Sequence, residues 1–195
     1  MCWKDMVKHK GGAEVECSLL FADVRGSTTL AEGMRPSEFR GLMSRFFVAA
    51  TDVLVAHEAI VDKFVGDEVI GIFVPGLAGP DHSGQAIGAG RELLRVAADE
   101  LDLPIGAGAH TGVAYVGTVG DGSMVDFTAM GDAVNVTARL ASAAGPYELL
   151  VSAAAASASG LDDPGLEHRR LDLKGKTDAV DVLVLQRASA AAAAS

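Results

Sequence analysis

Cysteine is nearly absent, with Cys2 and Cys17 the only two in 195 residues. Two cysteines make no disulfide framework in a chain this long, and neither has a partner at metal-ligand spacing. A reducing interior suits such a chain. Aromatic residues are scarce at 5%, so the core must rest on valine, leucine, isoleucine and alanine. Positive charge is also short: 16 Lys and Arg stand against 26 Asp and Glu, a formal net charge of −10. That balance argues against a nucleic-acid partner, whose phosphates need a basic face. It leaves room for a small phosphate ligand held by a few local cations. No apolar run approaches the ~20 residues that span a bilayer. Residues 1–13 carry Lys4, Lys8 and Lys10 with too little apolar sequence for a secretory signal. A soluble, cytoplasmic protein is expected, with no membrane insertion by this chain.

A hydrophobic fraction of 49% and a charged fraction of 22% are those of an ordinary globular core. The length fits one domain over residues 14–187, after a polar lead-in at 1–13 and before an alanine-rich tail at 188–195 that has no face to bury and should fray. Residues 16–23 (ECSLLFAD) form an apolar run that ends in a carboxylate before Gly26-Ser27-Thr28, the pattern of a buried strand and then a turn. From 36 to 57, Phe39, Leu42, Met43, Phe46, Phe47, Ala50, Val53 and Leu54 recur at helical spacing. Residues 59–65 and 68–74 flank Gly66 as a hairpin. A second helix is expected over 82–101 and strands over 105–113 and 115–119. A third helix is expected over 131–144, with late strands at 149–151, 166–173 and 180–186. This order suggests an α+β sandwich, with helices on one side of a mostly antiparallel sheet.

Several polar residues stand where chemistry is possible, and each has an ordinary explanation. Asp23 ends the first strand before a turn whose free N–H groups could receive phosphate, yet it could simply cap a helix. Asp67 follows Gly66 in the hairpin and could be a plain turn residue. Carboxylates beside such a turn can hold Mg²⁺. If Val65 and Gly66 form the hairpin tip, pleat alternation puts Lys63 and Asp67 on opposite faces, serving different pockets. Asn135 and Arg139, at i and i+4, project from one helix face. They can orient a sugar and brace a phosphate, or merely decorate the surface.

Taken together, FADVRGST (21–28), DKFVGDEV (62–69), GAHTGVAYVGTVG (108–120), FTAMGDAVNVTARL (127–140) and LKGK (173–176) occur in order. With these segments the sequence closely resembles the class III adenylate/guanylate cyclase catalytic domain, over roughly residues 16–185. A short motif alone carries a high false-positive risk, whereas five in sequence are specific. The resemblance implies the ferredoxin-like sandwich of that family and a reaction using two divalent ions, Mg²⁺ or Mn²⁺. By the same resemblance, Asp23 and Asp67 are the metal ligands, Lys63 and Thr128 select the base, and Asn135 orients the ribose. Arg139 serves the transition state, and Lys174 contacts the terminal phosphates with the Gly26, Ser27 and Thr28 turn. It further implies a head-to-tail homodimer in which one chain supplies the aspartates and the other Lys63, Thr128, Asn135 and Arg139. Lysine with threonine resembles the ATP-using type, class IIIb-like, a subgroup associated with bicarbonate or CO₂ response; guanylate cyclases typically carry Glu and a small residue there.

Two departures from the family pattern touch neither metal nor transition-state positions: Met124 and Val125 where an arginine is common, and Phe127 in place of tyrosine. They bear on activity level rather than reaction type. His110 reads as a strand histidine with a structural role. A catalytically silent cyclase-homology domain that binds nucleotide or a partner is the alternative. The VGDEV hairpin also resembles that of diguanylate cyclases, but Val65 replaces the first glycine of their signature and that family lacks the Asn135/Arg139 helix.

Overall fold

The computed structural model describes residues 11–121, 124–172 and 179–186. The elements run β1 (Gly12–Val24), α1 (Ser27–Gly33), α2 (Pro36–Ala56), β2 (Ile60–Val65), β3 (Glu68–Phe73), α3 (Pro75–Ala78), α4 (His82–Asp99), β4 (Ile105–Asp121), β5 (Met124–Met130), α5 (Asp132–Ala143), β6 (Glu148–Ser152), α6 (Ala153–Ser159), β7 (Glu167–Leu171) and β8 (Val180–Gln186). The strands form one sheet in the order β2-β3-β1-β4-β6-β8-β7, with β5 paired to β4. Among the described residues, only the β4–β6 pairing is parallel. The expected mixed, mostly antiparallel sandwich is what the chain adopts.

Alternation along β1 explains the layering. Leu20, Ala22 and Val24 point into a large cluster with Phe46 and Leu54 of α2, Leu93 and Leu94 of α4, and Ala155 of α6. Cys17, Leu19 and Phe21 point the other way, toward Ala133 and Ala141 of α5. Helices therefore cover both faces, which corrects the one-sided expectation. Sequence periodicity shows that α5 has an apolar stripe but not which sheet face meets it.

Other departures are local. Strand β1 begins at Gly12, ahead of the expected 16, because it pairs along its whole length with β4. The two strands expected at 105–113 and 115–119 are one 17-residue strand. Its glycines permit a close approach: a Cβ at Gly108 would lie 2.4 Å from the Ala141 backbone nitrogen, so glycine is what lets α5 settle on the sheet. Strand β5 and the short helices α1, α3 and α6 were not anticipated, α3 falling where residues 75–80 read as a loop. Helix α4 starts at a side-chain cap, the Gly84 N–H donating to Asp81 Oδ1 at 3.1 Å. His110 packs structurally, its Nδ1 lying 2.8 Å from Ser152 Oγ. No described helix is long and apolar enough to cross a membrane.

Candidate active site

The acidic corner is built where β1 and β3 meet. Asp23 stands opposite Glu68 in the antiparallel register, and Val65 pairs with Glu68 across the hairpin. The hairpin tip is therefore Gly66–Asp67, one residue beyond the expected Val65–Gly66. Gly66 takes the left-handed conformation that this tight turn needs, with φ 66°. The Val24 N–H donates to the Asp67 carbonyl at 3.4 Å, tying the tip to the end of β1. Burial pushes the Asp23 carboxyl up, against the attraction of Arg25, and repulsion from Asp67 raises it further. The neighbouring Glu68 is pushed to about 7, first by burial and then by the charges of Asp23 and Asp67.

Arg25 is the local counter-charge. Its guanidinium ion-pairs with Asp23 and also donates to the Ser142 and Ala144 carbonyls, at 3.3 and 3.4 Å, by the end of α5. Next to it, Gly26 (φ 70°) opens α1, with Ser27 half-buried and Thr28 exposed. Among the described residues, no group of three or more His, Cys, Asp or Glu could hold a metal alone. Two mutually repelling carboxylates are instead what Mg²⁺ uses when substrate phosphates complete its shell. The donor set fits a divalent ion that arrives with a polyphosphate.

A second cluster joins β2 and β5. Along β2 the register passes from Val61↔Gly71 to Phe64↔Val69, three steps on one strand against two on the other. This β-bulge allows the consecutive residues Asp62 and Lys63 both to reach β5. Lys63 ion-pairs with Asp126 and stands 3.8 Å from Asp62 Oδ1. Thr128 Oγ1 donates to Asp62 Oδ2 at 2.9 Å. Burial raises the Asp62 carboxyl, with the Thr128 hydrogen bond and the Lys63 charge opposing. Lys63 is held in its charged form, first by the Asp126 hydrogen bond.

Lys63 and Thr128, 65 positions apart in the chain, thus meet around one carboxylate, while Asp67 reaches Asp23 instead. On α5, introduced by Gly131 at φ 130°, Ala133, Val136, Thr137, Leu140 and Ala141 are buried. Asn135 is exposed and Arg139 half-buried. No hydrogen bond or ion pair among the described residues joins either to the acidic corner or to the Lys63 cluster. Lys174 lies outside the described residues. Sequence reasoning missed Arg25, Asp62, Glu68 and Asp126. Each sits within two residues of a motif residue, the one signal that could have found it.

A mostly antiparallel sheet with a paired-aspartate corner at the β2–β3 turn, and a lysine–threonine pair shared by β2 and β5, is the pattern of a nucleotide-cyclase type of catalytic domain. Residues 12–185 match the family model described as the adenylate and guanylate cyclase catalytic domain, and the chain belongs to that family. It is similar to "Adenylate cyclase 1" of Rhizobium meliloti (strain 1021), 31% identical over 189 residues, covering 89% of this chain and 28% of that protein. It is also similar to "Adenylate cyclase" of Anabaena cylindrica, 26% identical, covering 85% of this chain and 36% of that protein. The chain therefore spans about a third of the length of these curated relatives. Among solved structures, the guanylyl cyclase Cya2 superposes with a TM-score of 0.80 at 28% identity, covering 89% of this chain and 93% of that one. The adenylyl cyclase CyaB from P. aeruginosa gives a TM-score of 0.77 at 24% identity, with 90% and 96% covered, a likeness of fold.

Proposed function

We propose that this domain is an adenylate cyclase, converting ATP to 3′,5′-cyclic AMP and pyrophosphate in the cytoplasm, at sites assembled by two head-to-tail copies of the chain. One observation carries the choice of base: Lys63 and Thr128 meet around Asp62. A lysine donates to an acceptor nitrogen of the purine ring, and a threonine oxygen can accept from an exocyclic amine. Fold alone does not make this choice, since Cya2 shares the fold and is a guanylyl cyclase.

In the reaction, the ribose 3′-oxygen bonds to the α-phosphorus while the bond from that phosphorus to the bridging oxygen breaks. The electron pair leaves with pyrophosphate, and the 3′ proton passes to water or to a carboxylate of the acidic corner, with no dedicated base standing out among the described residues. Asp23 and Asp67 would hold two divalent ions, Mg²⁺ or Mn²⁺, which when bound lower the pKa of the 3′-hydroxyl and neutralise triphosphate charge. Backbone N–H groups near Gly26, with Ser27 and Thr28, receive the outer phosphates. Lys174 is assigned to the same phosphates from the sequence pattern alone. Asn135 orients the ribose, and Arg139 stabilises charge on the α-phosphoryl oxygens in the transition state.

The test is turnover of ATP and GTP in parallel by the purified protein with Mn²⁺, products separated by chromatography. Cyclic AMP from ATP, with little cyclic GMP from GTP, is expected. Preferred formation of cyclic GMP overturns the base assignment. Nucleotide binding without any cyclic product overturns the enzymatic reading in favour of a silent regulatory module.

A further inference from the structure

Asp62 has no part in the reaction as set out, yet its side chain is only 3% exposed. Its Oδ1 is buried without a hydrogen-bond partner. A buried carboxylate with an unsatisfied oxygen carries a desolvation cost, and the bulge in β2 places this one against both Lys63 and Thr128. Its Oδ2 takes the hydroxyl hydrogen of Thr128 at 2.9 Å. The other group near that hydroxyl, the Ala129 carbonyl at 3.4 Å, is also an acceptor. A threonine hydroxyl has one hydrogen and two lone pairs. With its hydrogen committed inward, Thr128 has only lone pairs left for a ligand.

We propose that Asp62 is a positioning residue that sets base choice: it orients the Thr128 hydroxyl so that the oxygen can only accept, favouring a purine with an amino group at C6 over one with a carbonyl there. This deepens the reading of Lys63 and Thr128 as the base-selecting pair and rests on it. An amino group completes the hydrogen bond. A C6 carbonyl would set acceptor against acceptor, the arrangement by which a polar site rejects the wrong partner most strongly.

The discriminating substitution is Asp62→Asn, which keeps size and shape. Lys63 Nζ lies 3.8 Å from the Oδ1 position and is only a donor, so it draws the amide oxygen toward itself. The amide nitrogen is then left facing Thr128. Thr128 accepts from that nitrogen, and its hydrogen becomes free to serve a C6 carbonyl. The ratio of GTP to ATP in kcat/KM should rise by about tenfold, the worth of one hydrogen bond of this kind. Thr128→Val removes the hydroxyl altogether, so adding Asp62→Asn to that variant should change the ratio no further.

Affinities for ATP and GTP, measured by calorimetric titration of the same proteins at pH 8, should move in the same direction. They test Asp62 even in a protein without turnover. An unchanged ratio in Asp62→Asn with an unchanged melting temperature would falsify the proposal, as would an equal shift in the Thr128→Val background. Failure of the wild type to turn over either nucleotide, with the affinity ratio shifting as described, sinks the enzymatic reading and leaves Asp62's role standing. A wild type that binds neither nucleotide overturns both.

Discussion

At the scale of single residues, Asp67 carries the sharpest consequence. It occupies a two-residue turn whose conformation is set by Gly66, and beside Asp23 it adds repulsion rather than packing. Asp67→Ala should reduce cyclase turnover to background while moving the melting temperature by no more than ~2 °C, because Asp67 is only half-buried and repels Asp23. Retained turnover contradicts its assignment as a metal ligand. His82 behaves in the opposite way, as a group of the fold rather than of the site. Its Nδ1 lies 2.9 Å from Ser18 Oγ, which also meets Ser83 and Thr111 at 2.9 and 2.7 Å. Burial depresses its pKa, with Glu16 and Asp81 opposing. The folded protein thus favours the neutral imidazole, and the unfolded chain binds more protons below the ordinary histidine pKa of about 6.5. Stability from His82 is present above that pH and is lost as the pH falls. The stability advantage of wild type over His82→Gln, from urea titrations, should shrink between pH ~7 and ~5.5, and a constant difference contradicts this. Asp23 and Asp67 were legible in the sequence as candidates, because an apolar run and a glycine frame them, and their metal role came only from the motif resemblance. Asp62, Glu68, Arg25 and Asp126 were not, because their importance follows from which strands become neighbours, and no local pattern records that.

At the scale of elements, the approach of α5 to β4 decides where Asn135 and Arg139 sit. A side chain at Gly108 would meet the Ala141 backbone nitrogen at 2.4 Å and Leu140 Cβ at 2.7 Å. Backbone cannot swing aside as a flexible side chain can. Gly108→Ala should therefore cost about 2 kcal/mol, lowering the melting temperature by roughly 4–8 °C. It should also reduce kcat through displacement of α5; a melting temperature unchanged from wild type would contradict the packing. Helices α2, α4 and α5 were readable from their apolar periodicity, and their bounds fall within two residues of expectation. Strand β5 was not, although Val125, Phe127 and Ala129 alternate with Asp126 and Thr128. Its partner is the far half of an unusually long β4, and glycines at 112, 117 and 120 read as breaks. The bulge in β2 was equally invisible, since an extra residue in a strand shows only against its partner.

At the scale of the whole molecule, one chain holds its acidic corner and its Lys63–Thr128 wall as separate clusters, without a bond between them among the described residues. Phe64 and Val65 on the hairpin and Val125 and Met130 on β5 are 43%, 52%, 42% and 50% exposed. These apolar side chains flank the base-selecting pair, and a second copy would cover them. Two-fold pairing of identical chains would bring the corner of each to the wall of the other, twice. Asp67→Ala and Arg139→Ala should each be inactive alone, having lost opposite halves of the site. Mixed in equal amounts and allowed to exchange partners, half of the pairs contain one chain of each kind, and every such pair regains one intact site of its two. Cyclic AMP formation by the mixture should recover to about a quarter of the wild-type rate. A mixture no more active than its separate components, with exchange verified by differently tagged chains, would contradict a site shared between two copies.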